Sequence, residues 1–384
     1  MRILIFSTAY LPFVGGAELA IKEITDRLSP GEFSFDLITL NLDGKQKAEE
    51  QMGNVRVIRL SCSKVLFPFR ASSRAIALHQ EKPYDRIWSI MASYGGFAGL
   101  FFKRRFPKIP FVLTLQEGDS FAHIYRRVFF IWPLFKMIFT RADHITAISN
   151  YLADWAKRMR ATCSVEVVPN GVDIQKFEYG MSLPAEASAQ AGNIEKEEIR
   201  KKIGIQKEDK IVITTSRLVA KNGVGDLIEA MQYLPENVKL VILGTGSLEE
   251  SLKSKVQSAK LEKRVQFLGF ISNQELPQYL HIADIFCRPS LSEGLGISFL
   301  EAMAAGLPVI ATSVGGILDF LTDGETGLFC EVQNPKSIAE KIQLLLSDGV
   351  LRTRIIDNAG KMVRERYEWQ GIAEKMKNAL TGSM

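Results

Sequence analysis

Short, fully apolar runs alternate with helix-period segments along most of this chain; the alternation stops once and then starts again. Runs that are Val-, Ile- and Leu-rich at every position suit strands covered on both faces, whereas half-exposed strands alternate polar and apolar residues. Such a rhythm points to parallel sheets sandwiched between helices. Strands are predicted at Ile3–Ser7, Phe35–Leu40, Val55–Leu60, Arg86–Met91, Phe111–Leu115, His144–Ile148 and Val165–Val168. Helices are predicted between them at Ala17–Leu28, Ser72–Gln80, Gly96–Phe106 and Asn150–Met159.

Tyr179 to Asn193 breaks the rhythm, being rich in Ala, Ser, Gly and Pro without periodicity, and reads as a linker or surface insertion. A charged helix is expected over Ile194–Ile203. Strands then follow at Ile211–Thr215, Val238–Leu243, Val265–Leu268, Ile285–Cys287, Val309–Ala311 and Leu328–Cys330. Their intervening helices fall near Val224–Tyr233, Leu248–Lys260, Gln274–His281, Ile297–Ala305 and Pro335–Leu346. The expected fold class is α/β, with two doubly wound Rossmann-like domains over residues 1–178 and 179–367. A last helix, about 368–384, is expected to cross back to the first domain. Two such domains facing across a cleft gather strand carboxyl ends and helix N-termini, so ligands are expected there.

At 384 residues and 46% hydrophobic, the chain can bury two cores. Its cysteines, Cys62, Cys163, Cys287 and Cys330, lack C-x-x-C spacing and mostly lie in apolar runs, so buried reduced thiols are expected. Its few histidines are unclustered, and no metal site is expected. The first apolar run is short and enters a glycine loop, unlike a signal peptide. The longest apolar stretch, Val128–Phe139, contains Pro133 and Lys136 and is too short to span a bilayer. A cytoplasmic protein is the expectation. The net charge of +5 divides into +7 through Glu178 and −2 beyond it, which suggests an anionic partner for the first half. No basic stripe interleaved with stacking aromatics and no helix-turn-helix pattern occurs, so that partner is not expected to be nucleic acid.

Four segments carry candidate chemistry. Val14-Gly15-Gly16-Ala17 opens the first helix, where glycines admit a ligand close to backbone N–H groups at a helix N-terminus. Ser216-Arg217-Leu218-Val219-Ala220-Lys221-Asn222 follows a strand and offers a guanidinium fork and a mobile ammonium to a diphosphate. Gly244-Thr245-Gly246 ends the next strand and is placed for a base or ribose. The strongest signal is Glu293-Gly294-Leu295-Gly296-Ile297 with Glu301 beyond it. It sets one carboxylate in a loop and another one turn inside a helix, with phosphate-binding N–H groups between them.

Glu293-x7-Glu301, Ser216-Arg217-Leu218, Val168-Pro169-Asn170-Gly171 and Val314-Gly315-Gly316 together resemble glycosyltransferase family 4, in order along nearly the whole chain. That family consists of retaining, metal-independent enzymes of the GT-B fold. The resemblance implies a UDP- or GDP-hexose donor, a sugar or lipid-linked acceptor, and no cofactor. It gives Glu301 the donor ribose and Glu293 the hexose. The backbone of Gly294, Leu295, Gly296 and Ile297 would hold sugar and phosphate. Arg217 and Lys221 would neutralise the diphosphate, and Gly15 and Gly16 would line the phosphate and acceptor side.

Two positions depart from the family pattern. Gln116 stands where members often carry histidine and can donate a hydrogen bond but not take a proton; Glu117 or Asp119 beside it could serve instead. Asn222 stands where a lysine is usual, one residue after Lys221. These departures keep a non-catalytic donor-binding protein as an alternative, and a sugar-nucleotide 2-epimerase as another. Finally, Lys103-Arg104-Arg105-Phe106 and Tyr125-Arg126-Arg127…Trp132 set cations beside aromatics. That pattern suits either a core-facing helix with a solvated edge or peripheral contact with the anionic inner face of the plasma membrane.

Overall fold

The computed structural model of the chain describes residues 1–13, 15–178 and 196–382. They divide into two compact units, Met1–Gly171 with Trp369–Met384, and Val172–Glu368. The segment read as a linker, Tyr179–Asn193, lies outside the described residues, as does the start of the charged helix at Ile194.

The first unit is an eight-stranded sheet in the order β3-β4-β2-β1-β5-β6-β7-β8. Its strands are β1 (Arg2–Phe6), β2 (Ser34–Leu40), β3 (Glu49–Met52), β4 (Val55–Leu60), β5 (Arg86–Ile90), β6 (Phe111–Leu115), β7 (His144–Ala147) and β8 (Ser164–Val167). All neighbours are parallel except β3 and β4. The helices are α1 (Gly16–Arg27), α2 (Phe67–Glu81), α3 (Tyr94–Arg105), α4 (Phe121–Val128), α5 (Trp132–Arg141) and α6 (Asn150–Arg158).

Three features differ from the sequence expectation. β3, Glu-Glu-Gln-Met, was not anticipated because it has no apolar run; an edge strand needs little burial, and ion pairs from Arg56 to Glu49 and from Arg59 to Glu50 fasten it. α2 starts five residues early, at Phe67, with Pro68 accommodated in its first turn. α4 and α5 lie where no helix was predicted, on either side of a 3₁₀ turn at Phe129–Ile131.

The second unit holds α7 (Ile174–Phe177), a helix α8 described over 196–202, and a six-stranded parallel sheet ordered β11-β10-β9-β12-β13-β14. Its strands are β9 (Lys210–Thr215), β10 (Val238–Leu243), β11 (Val265–Gly269), β12 (Ile285–Arg288), β13 (Val309–Thr312) and β14 (Leu328–Cys330). Helices α9 (Val224–Ala230), α10 (Glu249–Ser258), α11 (Leu276–His281), α12 (Ile297–Ala304) and α13 (Pro335–Ser347) follow the expected rhythm. α14 (Gly349–Arg366) escaped it because this charged helix buries only a narrow stripe, Ile355, Ala359, Gly360 and Val363.

The chain passes into the second unit at Val172, seven residues before the expected boundary. Val172 N–H donates to the Tyr367 carbonyl (2.7 Å), and His281 Nε2 meets the Phe177 carbonyl (2.8 Å). These long-range bonds hold α7 to its own unit, although no composition change marks the crossing. The last helix, α15 (Trp369–Thr381), puts Trp369, Ile372, Met376 and Leu380 into the first unit's core beside Ile21 and Ile24. Cys287 and Cys330 are buried thiols, but Cys62, just after β4, and Cys163, just before β8, are only half-buried.

Strand order determines where a site can form. In each sheet the chain reverses its direction of winding once, beside β1 and β5 in the first unit and beside β9 and β12 in the second. Loops leaving the carboxyl ends of two such strands diverge and leave a crevice.

Candidate active site

In the second unit, the loops leaving β9 and β12 carry the residues the sequence singled out. They are stitched together by backbone. Leu291 N–H donates to the Lys221 carbonyl (2.6 Å), and a Cβ on Gly223 would lie 1.9 Å from the Pro289 carbonyl oxygen. Arg217 is exposed at the start of the first loop and Lys221 half-buried further on. Asn222, where lysine is usual, is buried, and its side-chain amide donates to the Arg217 carbonyl (2.7 Å). It therefore shapes the loop that presents Arg217.

Gly244 and Gly246 serve the same construction. A Cβ at Gly244 would meet the Ser216 carbonyl oxygen at 1.9 Å, and one at Gly246 the Leu218 carbonyl oxygen at 2.4 Å. The loops leaving β9 and β10 lie backbone against backbone, joined by Leu218 N–H to the Thr245 carbonyl (2.9 Å). Close approach by the protein's own chain thus accounts for both glycines.

The loop from β12 to α12 holds the paired carboxylates. Glu293 Oε1 accepts from the Gly294 N–H (3.0 Å), and Oε2 pairs with Arg288 Nη2 (2.5 Å). Its carbonyl accepts from Gly316 N–H (3.1 Å), and a Cβ on Gly315 would fall 2.0 Å from that same oxygen. The Val314-Gly315-Gly316 motif is accounted for by this contact: it closes over the back of the Glu293 loop. Gly296 takes φ 91°, a left-handed turn that lets Ile297 begin α12. Leu295 points into the core. Glu301, on the fifth residue of α12, is 8% exposed, and burial pushes its carboxyl up to about 7 against the attraction of Lys176 and Arg288.

Arg288 went unnoticed in the sequence. It ends an otherwise apolar strand, Ile-Phe-Cys-Arg, and a cation at the carboxyl end of a buried strand was the available signal.

In the first unit, Gly15 has extended backbone that any residue adopts, and caps α1 by accepting from Leu19 N–H (3.0 Å). Gly15 and Gly16 are both exposed. Gln116, leaving β6, is buried, and its Oε1 accepts from Asn170 Nδ2 (3.3 Å), which draws the Val168–Gly171 motif to the same edge of the sheet. Glu117 is buried beside it. One carboxyl oxygen accepts from Ala92 N–H beyond β5, while Oε2 meets no hydrogen-bond partner among the described residues. Burial pushes this carboxyl up to about 7, opposed by backbone N–H groups including that of Ala92. Met91, which turns the Ala92 N–H, has φ 67°, a strained value for a residue with a side chain. Among the described residues no group of three or more His, Cys, Asp or Glu is placed to hold a metal ion.

Comparison with known proteins agrees in both halves. Residues 14–176 match the family model for Glycosyltransferase Family 4, and 195–362 match that for Glycosyl transferases group 1. An uncharacterized glycosyltransferase of Methanocaldococcus jannaschii is 35% identical over 216 residues, 56% of this chain and 53% of that protein. The chain thus spans about half the length of that relative. A GDP-mannose-dependent monoacylated alpha-(1-6)-phosphatidylinositol monomannoside mannosyltransferase of Corynebacterium glutamicum is 27% identical, covering 99% of this chain and 97% of that one. Among solved structures, sucrose-phosphate synthase from Thermosynechococcus elongatus shares the fold with TM-score 0.84 at 21% identity, covering 99% of this chain and 98% of that one. Anabaena HepE, solved with UDP and glucose, shares it with TM-score 0.81 at 22% identity over the full length of both. With a family model on each half and two doubly wound α/β units of the GT-B type, the chain belongs to glycosyltransferase family 4.

Proposed function

We propose that the protein transfers a hexosyl group from a UDP- or GDP-hexose to a sugar or lipid-linked acceptor, with retention and without a metal ion. The observation that supports this reading is the stitched pair of loops at the winding reversal of the second sheet, one carrying Arg217 and Lys221 and the other Glu293. In this reading Glu301 accepts hydrogen bonds from the ribose and Glu293 from the hexose. N–H groups from Gly294 to Ile297 hold sugar and phosphate. Arg217 and Lys221 take up the charge of the diphosphate as its bond to the anomeric carbon breaks. The acceptor oxygen bonds that carbon on the face the diphosphate leaves, and its proton passes to the departing phosphate. Gln116, in the first unit, offers a hydrogen bond to a sugar hydroxyl, and the acceptor binds that unit.

Calorimetric titration with UDP, GDP, ADP and their common hexose conjugates, with EDTA present, tests this directly. One nucleotide and its conjugate are expected to bind; binding of none would remove the enzyme reading. Transfer restored only by Mg²⁺ or Mn²⁺ would remove the metal-free part. Arg217→Ala is expected to lower kcat at least 10-fold, because its contact strengthens as negative charge develops. The buried, loop-shaping Asn222 keeps a donor-binding protein without turnover as the second reading; donor binding with no product from a verified acceptor would favour it. Interconversion of the free sugar nucleotide would instead identify a 2-epimerase.

We further propose that the first unit docks on the anionic inner face of the plasma membrane. α4 buries none of its residues, and Phe129 and Phe130 beyond it are 71% and 94% exposed beside Arg126 and Arg127. A row of ring contacts runs from exposed Phe69 through Phe101, Phe97 and Phe135 to Trp132 and Tyr125. Apolar rings flanked by cations suit the headgroup boundary. No helix among the described residues is long and apolar enough to cross a membrane. Co-sedimentation with anionic vesicles is expected to fall several-fold in Phe129→Ser/Phe130→Ser; equal binding by variant and wild type would remove the docking proposal.

A further inference from the structure

Arg288 is a heavily used buried cation in the second unit, and no role in the reading above requires it. It ends β12, is 6% exposed, and reaches four polar partners. Nε donates to Ser290 Oγ (3.2 Å), in the loop after its own strand. Nη1 donates to the Thr215 carbonyl (3.3 Å), where β9 gives way to the Arg217 loop, and to Ser298 Oγ (2.7 Å) in the first turn of α12. Nη2 pairs with Glu293 Oε2 (2.5 Å). The guanidinium also lies 4.3 Å from the centre of the Phe299 ring. Gly296 has no side chain at the point where one would press on this group: its Cβ would sit 2.9 Å from Nη2. A planar fork can serve these directions at once, whereas an ammonium cannot.

We propose that Arg288 is a positioning residue for the donor sugar: it clasps the Glu293 carboxylate to the ends of β9 and α12, so that the lone pairs its oxygens keep beyond Arg288 and the Gly294 N–H meet the hexose at one fixed place. Arg288 acts through Glu293 and does not touch the diphosphate. With the two side chains only 7% and 14% exposed, the pair is costly to leave half-made and rigid once made. Glu301, from α12, is the other carboxyl that acts on Arg288, and Lys176, from α7, acts in turn on Glu301. This role rests on the donor site proposed above, and it separates the affinity for the sugar from the affinity for the nucleotide.

The experiment compares bare diphosphate with sugar nucleotide, using UDP against UDP-glucose and GDP against GDP-mannose, by calorimetry and transfer kinetics. The proteins are wild type, Glu293→Gln, Arg288→Lys and Arg288→Met/Glu293→Gln. The double variant removes both charges together, so that no unpaired buried carboxylate confounds folding. Arg288→Lys is expected to raise the KM for the sugar nucleotide about 10-fold while the Kd for bare diphosphate changes less than about 3-fold. The double variant is expected to match Glu293→Gln alone, since Arg288 has nothing left to position. A similar loss for diphosphate and sugar nucleotide in Arg288→Lys would overturn the proposal, as would a double variant much weaker than Glu293→Gln. In either case wild-type binding and transfer leave the enzyme reading standing. Wild type that binds none of these compounds would overturn both.

Discussion

At the scale of single residues, Glu117 and Glu301 are enclosed carboxyls that burial pushes from the ordinary 4.5 up to about 7. In the unfolded chain both lose their protons near the ordinary value. Between pH 4.5 and 7 the folded state therefore holds protons that the unfolded state has released, and stability falls as pH rises through that window. Glu301→Gln keeps the shape and removes the titration. Its stability relative to wild type is expected to improve by up to about 3 kcal/mol between pH 4.5 and pH 8 in denaturant unfolding. A constant difference across that range would mean that the carboxyl is solvated. The spacing of Glu293 and Glu301 was readable because a helix start is a local event. The engagement of Glu293 by Arg288 was not, because it depends on two strands and a helix meeting.

At the scale of elements, the second unit's loops lie on one another through glycine. Gly223, Gly244, Gly246 and Gly315 each leave room for a neighbouring backbone carbonyl, and Gly296 for the Phe299 ring and Arg288. The motifs were legible as glycine-rich strand ends, but the sequence offered a ligand as the reason for close approach where the structure supplies a neighbouring loop. Gly296→Ala and Gly306→Ala separate two costs. Both positions have left-handed φ, 91° and 77°, but a Cβ at Gly306 meets nothing within 4 Å while one at Gly296 lies 2.5 Å from the Phe299 ring. Gly306→Ala is expected to cost about 1 kcal/mol and Gly296→Ala about 2–3 kcal/mol, read as urea midpoints. Equal costs would show that the crowding at Gly296 relaxes freely.

At the scale of the whole molecule, the chain enters the second unit at Val172 and returns to the first at Trp369. The first unit's core is therefore completed only by the last helix, with Trp369 2% exposed among residues from α1 and the sheet. Trp369→Ala is expected to destabilise the first unit by about 3–5 kcal/mol. Nucleotide binding should persist, because every donor residue proposed in the second unit lies between Val172 and Glu368. Scanning calorimetry with and without the bound nucleotide checks this. Loss of binding at temperatures where the variant is folded would mean that the donor site depends on the first unit.

The sequence by itself determined the class of the fold, the place of nearly every interior strand and the helix start between Glu293 and Glu301. Each of these depends on burial or capping, which a short stretch of residues records in its own order. Tertiary structure decided the rest: the edge strand β3, held by ion pairs rather than by an apolar face; the crossing at Val172; the exposure of Phe130; and the meeting of Arg288 with Glu293. No local pattern records these: the β3 ion pairs need the pairing of β3 with β4, the crossing at Val172 needs the Tyr367 carbonyl, and the Arg288–Glu293 pair, only five residues apart in sequence, takes its geometry from the ends of β9 and α12 that Arg288 also reaches.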